Sequence, residues 1–380
     1  MIYLDNAATT YPKPESVYEK MDWASRNLQF NAGRGSYDVA KEATHLIDET
    51  RKLLLDRVSA NGNEKAVLCT SATEALNIIL QGISWTTGDI VYVSPYEHNA
   101  VARTLEVIRQ KEAIRVELLP IKSDSLEIDL EKSMYLFAKE KPKAVCCTHV
   151  SNVTGYVLPV KEIAEMAKEV GAVVVIDASQ SFGLVGIDIN MIRADFIVFA
   201  GHKTPYGPFG VGGFIDADTY SLNTIFAGGT GSDSLNLRMP ASSPEKYEYG
   251  SKNIVAIAGL NQALKCLDQE KNYNHERKIV NYLFNKLSTI PEVVMYVSDD
   301  ELDKHVGLLS FNLKGYKSDE VGTILSEDYG IAVRTGFHCA PYVHDVLKDK
   351  DYLGTVRVGV SQFTSEEDID ALYNAIIELV

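Results

Sequence analysis

No apolar run in this sequence comes near the roughly 20 residues that a membrane-spanning helix requires. The apolar run Ala172 to Ile176, for example, is closed at once by Gly171 and Asp177. The opening stretch, Met1-Ile2-Tyr3-Leu4-Asp5-Asn6, lacks both the basic residues and the apolar core of a secretory signal. Basic charge is also in deficit: 37 lysines and arginines face 52 aspartates and glutamates, a formal charge of −15. Such a surface repels phosphate, so no general affinity for nucleic acid or acidic membranes is expected. Cysteine is sparse: Cys69, Cys146, Cys147, Cys266 and Cys339 are odd in number and unpatterned. That excludes a disulfide framework, and the absence of Cys-x-x-Cys or His-rich spacing leaves no metal site to expect. A reducing cytoplasm is the expected setting.

What is present is enough chain, 380 residues, for one large domain and a smaller one. Short β-rich runs alternate with helical patterns through the middle of the sequence. Ala66–Cys69, Ile90–Val93, Ala144–Thr148, Ala172–Asp177, Phe196–Ala200 and Gly212–Ile215 read as strands. Helical patterns fall at Ala72–Gln81, Ala100–Lys111 and Val160–Val170. This alternation predicts an α/β fold with a large, mostly parallel sheet and helices on both faces. After about Gly259 the pattern changes. One long amphipathic helix is expected from Asn261 to Leu287, a half-exposed strand at Leu308–Leu313, and a last helix from Ser365. The expected division is 13–259 for the large domain, with 1–12 and 260–380 forming a smaller α+β domain.

In open sheets of this kind, sites form beyond the carboxyl ends of the strands. Asp177 ends one apolar run, and Lys203 follows another through Ala200-Gly201-His202. A lysine there can form an imine with pyridoxal 5′-phosphate, and an aspartate one strand away can keep the pyridine nitrogen protonated. Taken singly, each residue has an ordinary alternative, an exposed lysine and a helix-capping aspartate. Ser71-x-x-Glu74 opens a helix after a strand; free amides there, at Ala72 onwards, with the Thr73 hydroxyl, make an anion site or simply a well-capped helix. His98, Asn152 and Gln180 each follow a strand and can stack on or bond to a ring or substrate, although loop residues of these types are commonly turn-formers. Cys339 lies in the glycine- and proline-marked loop Arg334-Thr335-Gly336-Phe337-His338-Cys339-Ala340-Pro341, where nearby cations favour thiolate. The other four cysteines read as inert buried thiols. Arg357 alternates with apolar residues, as a guanidinium clamping a carboxylate or as a structural ion pair.

These segments resemble the class V aminotransferase-fold enzymes and, within them, the cysteine desulfurases. The resemblance covers essentially the whole chain. It rests on Leu4-Asp5-Asn6-Ala7-Ala8-Thr9-Thr10, Glu97-His98, Thr148-His149-Val150-Ser151-Asn152, Gly201-His202-Lys203 and Arg334 to Ala340. The compact cysteine loop is similar to that of the SUF-type and selenocysteine-lyase-like group. The resemblance implies the fold type I of pyridoxal-phosphate transferases and conversion of L-cysteine to L-alanine, with the sulfur taken up by Cys339 as a persulfide. It implies Lys203 as the Schiff-base lysine, Asp177 at the pyridine nitrogen, Gln180 at the phenolic oxygen and His98 as the stacking acid–base residue. Thr73 and His202 would bind the phosphate, and Arg357 the substrate carboxylate with Asn152 nearby. Ser251 would reach the phosphate of a neighbouring subunit, implying a homodimer, and a protein acceptor could take the sulfur onward, as in iron–sulfur cluster biogenesis.

The match has departures. Ala200 stands where a serine commonly precedes Gly-His-Lys, Ser251 replaces a threonine, and Phe337 replaces a histidine of the SUF-type group. Gly33-Arg34-Gly35 matches the family's Arg-Gly segment loosely. Selenocysteine lyase, aminotransferase and racemase activities are the alternatives on the same scaffold. A non-catalytic sulfur-relay scaffold is a further one, against which intact Lys203, Asp177 and Cys339 speak.

Overall fold

A computed structural model describes residues 1–33, 35–123, 125–231 and 235–380, so Arg34 of the loosely matching segment lies outside the described residues. Among the described residues the strands are β1 (Ile2–Tyr3), β2 (Lys65–Cys69), β3 (Ile90–Val93), β4 (Arg115–Leu118), β5 (Ala144–Thr148), β6 (Val173–Asp177) and β7 (Phe196–Ala200). They continue with β8 (Gly212–Asp216), β9 (Val293–Met295), β10 (Leu308–Leu313), β11 (Ile331–Ala332), β12 (Arg334–Gly336) and β13 (Thr355–Gly359). The large sheet has the order β2-β8-β7-β6-β5-β3-β4. Strands β3 to β7 run parallel, joined by helices such as Val160–Glu169. Strands β5, β6 and β7 are buried at every residue, which is why their sequences are unbroken apolar runs rather than alternating ones.

The alternation predicts Gly212–Ile215 as one more member of the parallel series, but β8 runs antiparallel to both β7 and β2. The loop 201–211 is too short for a crossover, which takes about a dozen residues or more, so the chain returns the opposite way.

A second sheet, β12-β13-β10-β9, is antiparallel and packs on the helices Gln269–Leu287 and Glu366–Leu379. Leu283, Phe311, Val358 and Leu372 lie at the centre of that core. Ser365 caps the last helix as its sequence predicts, accepting from the Asp368 amide at 3.2 Å.

Two expectations need correction. The single helix over 261–287 is two, Ile254–Cys266 and Gln269–Leu287. Leu267 is extended and the Asp268 carboxylate accepts the Lys271 amide at 3.1 Å, starting a new helix. The first of the two spans residue 259 and puts Ile257, Leu260 and Leu264 into the core of the large sheet. Strand β10 is not half-exposed; all six residues are buried. Its polar side chains face protein, with Ser310 Oγ donating to the Val153 carbonyl at 2.6 Å and Asn312 Nδ2 to the Gly354 carbonyl at 2.9 Å.

Candidate active site

The carboxyl ends of β5, β6 and β7 open into a cavity of about 260 Å³. Asp177 is the last residue of β6, and the turn after β7 carries His202 and Lys203 into the cavity wall. Gly201 is required in that turn by close approach, since a Cβ there would stand 2.6 Å from the Val211 carbonyl oxygen. Burial pushes the Lys203 amine down to about 8; the Asp177 carboxylate opposes this and the Arg357 guanidinium adds to it. Asp177 is itself buried, with Oδ1 accepting from the Ser179 amide at 2.9 Å and the Ser179 hydroxyl at 2.5 Å.

The helix Ala72–Gly82 starts at the same cavity, lined by Ser71, Ala72 and Thr73. Ser71 Oγ accepts from the Glu74 amide at 3.2 Å, while Glu74 reaches past Ser71 to the Thr70 amide at 2.7 Å. The first amides of a helix have no partner within it, so Ala72 and Thr73 bring free donors and a positive dipole end. Gly212 of β8 makes this possible: a Cβ there would lie 2.9 Å from the Ala72 nitrogen.

His98 caps the helix Asn99–Glu112, its Nδ1 accepting from the Ala100 amide at 3.0 Å. The ring hydrogen therefore sits on Nε2. Burial, reinforced by the Lys203 ammonium, pushes His98 down to about 4, so it is a neutral imidazole at physiological pH. His202 is pushed to about 3 by burial with added repulsion from Lys203, and its ring stacks on Phe209 with centroids 4.6 Å apart. Gln180 donates to the Ala7 carbonyl at 2.7 Å.

Arg357 of β13 also lines the cavity and is 3% exposed. Its Nη1 donates to the Asn152 carbonyl and its Nη2 to Asp5 Oδ1, both at 2.8 Å. Asn152 in turn donates from Nδ2 to the His338 carbonyl at 2.7 Å, tying the Arg357 side to the cysteine loop. Cys339 is exposed and lines the cavity together with Arg334 and His338.

Ten of the residues singled out from sequence thus meet at one cavity: Ala72, Thr73, His98, Asn152, Asp177, Gln180, His202, Lys203, Cys339 and Arg357. Ser251 does not; it is exposed and lies by a neighbouring hollow with Lys252 and Asn253. Cys266, expected to be buried, is exposed within hydrogen-bonding reach of Ser16 and Gln262. Sequence reasoning missed Asp5, Lys13 and Glu97. The signal for Asp5 was available in principle, because a buried arginine on a strand demands a carboxylate. Lys13 binds the His202 carbonyl at 2.9 Å. Glu97 receives the Thr148 amide at 2.6 Å, and burial pushes its carboxyl up to about 8.

The cavity wall carries buried polar atoms that find no protein partner among the described residues: His202 Nδ1, Arg357 Nε and His338 Nδ1. A donor-rich helix start, a buried carboxylate, an amine and a guanidinium lining one cavity suit a ligand with a phosphate, a ring nitrogen, an aldehyde and a bound carboxylate. No group of side chains able to hold a metal ion occurs among the described residues. The family model for the class-V aminotransferases matches residues 2–372.

This chain belongs to the aminotransferase class-V family.

Its cofactor is pyridoxal 5′-phosphate, which the donor set above fits. The class-V chain is 33% identical to a probable cysteine desulfurase of Pyrococcus abyssi, over all of this chain and 94% of that protein. The apo structure of the cysteine desulfurase from Thermococcus onnurineus NA1 superposes with a TM-score of 0.88 at 30% identity, covering 100% of this chain and 94% of that one. The cysteine desulfurase CsdA of Escherichia coli superposes at 0.84 and 25% identity, covering 100% and 95%. The fold type I architecture of the class-V chain, a large mostly parallel sheet with helices, agrees with these neighbours.

Proposed function

We propose that this chain is a pyridoxal-phosphate-dependent cysteine desulfurase, converting L-cysteine to L-alanine and retaining the sulfur on Cys339 as a persulfide. The observation that carries the reading is an exposed thiol in the wall of the cavity that also holds Lys203, Asp177 and Arg357. When bound, the cofactor supplies an electron sink for charge developing at the substrate α-carbon. Lys203 would hold it covalently, with Asp177 at the ring nitrogen and Gln180 at the phenolic oxygen. The Ala72 and Thr73 amides, the Thr73 hydroxyl and His202 would take the phosphate.

Arg357, oriented by Asp5 and the Asn152 carbonyl, would bind the substrate carboxylate. The Lys203 amine, neutral far more often than an ordinary lysine, takes the α-proton. Cys339 Sγ attacks the substrate sulfur; the new sulfur–sulfur bond forms as the carbon–sulfur bond breaks, and the electron pair goes to carbon. One proton delivered to that carbon, the β-carbon, and one returned to the α-carbon complete alanine. His98, neutral and with its hydrogen on Nε2, contributes a stacking face and a hydrogen-bond donor rather than a resident positive charge.

A homodimer in which Ser251 reaches the partner's phosphate accounts for its exposure away from this cavity. It also accounts for the exposed apolar side chains Phe226, Leu235 and Leu237 in the same stretch of chain. A protein sulfur acceptor and a cytoplasmic setting complete the reading, in keeping with five free cysteines.

The test is incubation with L-cysteine, quantifying alanine and detecting a persulfide on the Cys339 peptide by mass spectrometry. Cys339→Ala is expected to keep the bound cofactor and lose sulfide release in the presence of reductant. Keto-acid or D-amino-acid products, or normal turnover without Cys339, would sink the proposal.

A further inference from the structure

The thiol of Cys339 is carried on a turn that its own residues do not favour. The Phe337 carbonyl accepts the Ala340 amide at 2.9 Å, closing a four-residue turn with His338 and Cys339 at its centre. Both central residues are left-handed, with φ 45° and 57°. That is the pattern of a type I′ turn, which elsewhere is made by asparagine and glycine because a Cβ is strained there. A strained turn of this kind persists only where its surroundings over-determine it.

The surroundings do so from several sides. Asn152 holds the His338 carbonyl, the Asn99 amide donates to the Cys339 carbonyl at 2.6 Å, and His338 Nε2 lies 2.9 Å from Thr355 Oγ1. Asn152 belongs to the substrate side of the cavity and Asn99 follows His98, so these contacts belong to the site already described. One contact does not. His344 Nε2 lies 2.9 Å from the Phe337 carbonyl, the acceptor that closes the turn. A carbonyl can only accept, so Nε2 carries a hydrogen. On the other side of the ring, Nδ1 lies 2.6 Å from Asp349 Oδ2. His344 and Asp349 are 1% and 0% exposed, and the Phe337 ring covers the imidazole edge-on at 5.0 Å. The Asp349 carbonyl receives the Gly354 amide at 3.2 Å, which joins the pair to the start of the strand bearing Arg357.

We propose that His344, oriented by Asp349, is a positioning residue for sulfur transfer: it clamps the Phe337 carbonyl and so holds Cys339 in its strained turn, at a fixed place relative to Arg357. This rests on Cys339 being the sulfur acceptor. His344 is not among the residues that line the cavity, and its effect passes through the backbone. The clamp therefore governs the step that uses the thiol and not the steps that use Lys203.

The experiment separates the two with wild type, His344→Ala, His344→Gln and Asp349→Asn, all as holoenzyme. Sulfur transfer from L-cysteine is measured beside exchange of the α-hydrogen of L-alanine in D₂O, which needs Lys203 but no thiol. His344→Ala is expected to lower kcat for sulfur transfer about tenfold or more, leaving KM and α-hydrogen exchange within about twofold of wild type. Glutamine can still donate to the Phe337 carbonyl, so His344→Gln recovers most of the rate, and Asp349→Asn falls between. In cofactor-free protein, hydrogen exchange at the Ala340 amide is faster in His344→Ala than in wild type. Sulfur transfer unchanged in a folded His344→Ala overturns the proposal. So does a parallel loss of α-hydrogen exchange, or a folded His344→Gln no better than alanine. If wild type itself makes no alanine from cysteine, the desulfurase reading fails instead, and the Ala340 exchange rates alone judge the clamp.

Discussion

Raising the pH through 8 titrates the Lys203 amine, the group proposed to attach the cofactor and take the α-proton. Burial brings it down from 10.5 to about 8, with Asp177 opposing and Arg357 reinforcing. Only the neutral amine has a lone pair with which to attack an aldehyde or take a proton. At pH 7 the neutral fraction is about 9%, against about 0.03% for an ordinary lysine, a gain of about 300-fold. The assay is the rate at which cofactor-free protein takes up pyridoxal phosphate, followed by visible absorbance between about pH 6 and about pH 10. The rate is expected to climb about tenfold per pH unit below 8 and then level off. Asp177→Asn removes the carboxylate that favours the ammonium form, so its break moves to lower pH. Arg357→Gln removes a repelling cation and moves the break higher. A rate still climbing at the top of the range, or breaks that fail to move in opposite directions, refutes the reasoning.

Three further outcomes are expected. Arg357→Lys loses the planar fork that bonds Asp5 and the Asn152 carbonyl together, and should lower kcat/KM for L-cysteine about 10- to 100-fold in steady-state assays. Gly212→Ala pushes β8 against the start of the helix Ala72–Gly82, and cofactor titration of the apo protein should show a dissociation constant raised about tenfold or more. Burial raises the Glu276 carboxyl to about 8, with Tyr206 as its hydrogen-bond donor. A folded-state value above the unfolded one stabilises fully only below about pH 4.5, and that contribution is lost as the pH rises to about 8. Glu276→Gln should therefore raise the melting temperature at pH 8 by an amount worth at most about 4 kcal/mol, and barely change it near pH 4.5. Equal shifts at both pH values would count against a buried, neutral Glu276.

The residues at the ends of apolar runs were legible because strand ends in a parallel sheet are marked by the sequence itself. Asp177 and Lys203 owe their recognition to Val173–Ile176 and Phe196–Phe199, buried on both faces and therefore unbroken. The helix start at Ser71 was legible for a similar local reason. Features set by distant partners were not. A buried Arg357 asks for a carboxylate, but nothing near it says that Asp5 supplies one, and nothing near Ser310 or Asn312 announces that another part of the fold will cover them. Their alternation with leucine looks like a wet face until Val153 and Gly354 supply the acceptors. Helical periodicity likewise runs on through Leu267 and hides a break made by one capping aspartate. Cys266 misled because composition says how cysteines behave on average, not where one helix turns its side chains.

The pairing of Asp5 with β13 has a consequence for how the protein reaches its working form. Asn6 and Gly359, 353 residues apart, are hydrogen-bonded, and the same short segment supplies Asp5 to Arg357 and the Ala7 carbonyl to Gln180. Contacts of such sequence separation close late, after the loop entropy between them has been overcome by nearer ones. The lysine turn can form within the large sheet while the carboxylate clamp is still open. Completing the Arg357 clamp therefore needs both ends of the chain, and ribosomal synthesis delivers residue 5 long before residue 357.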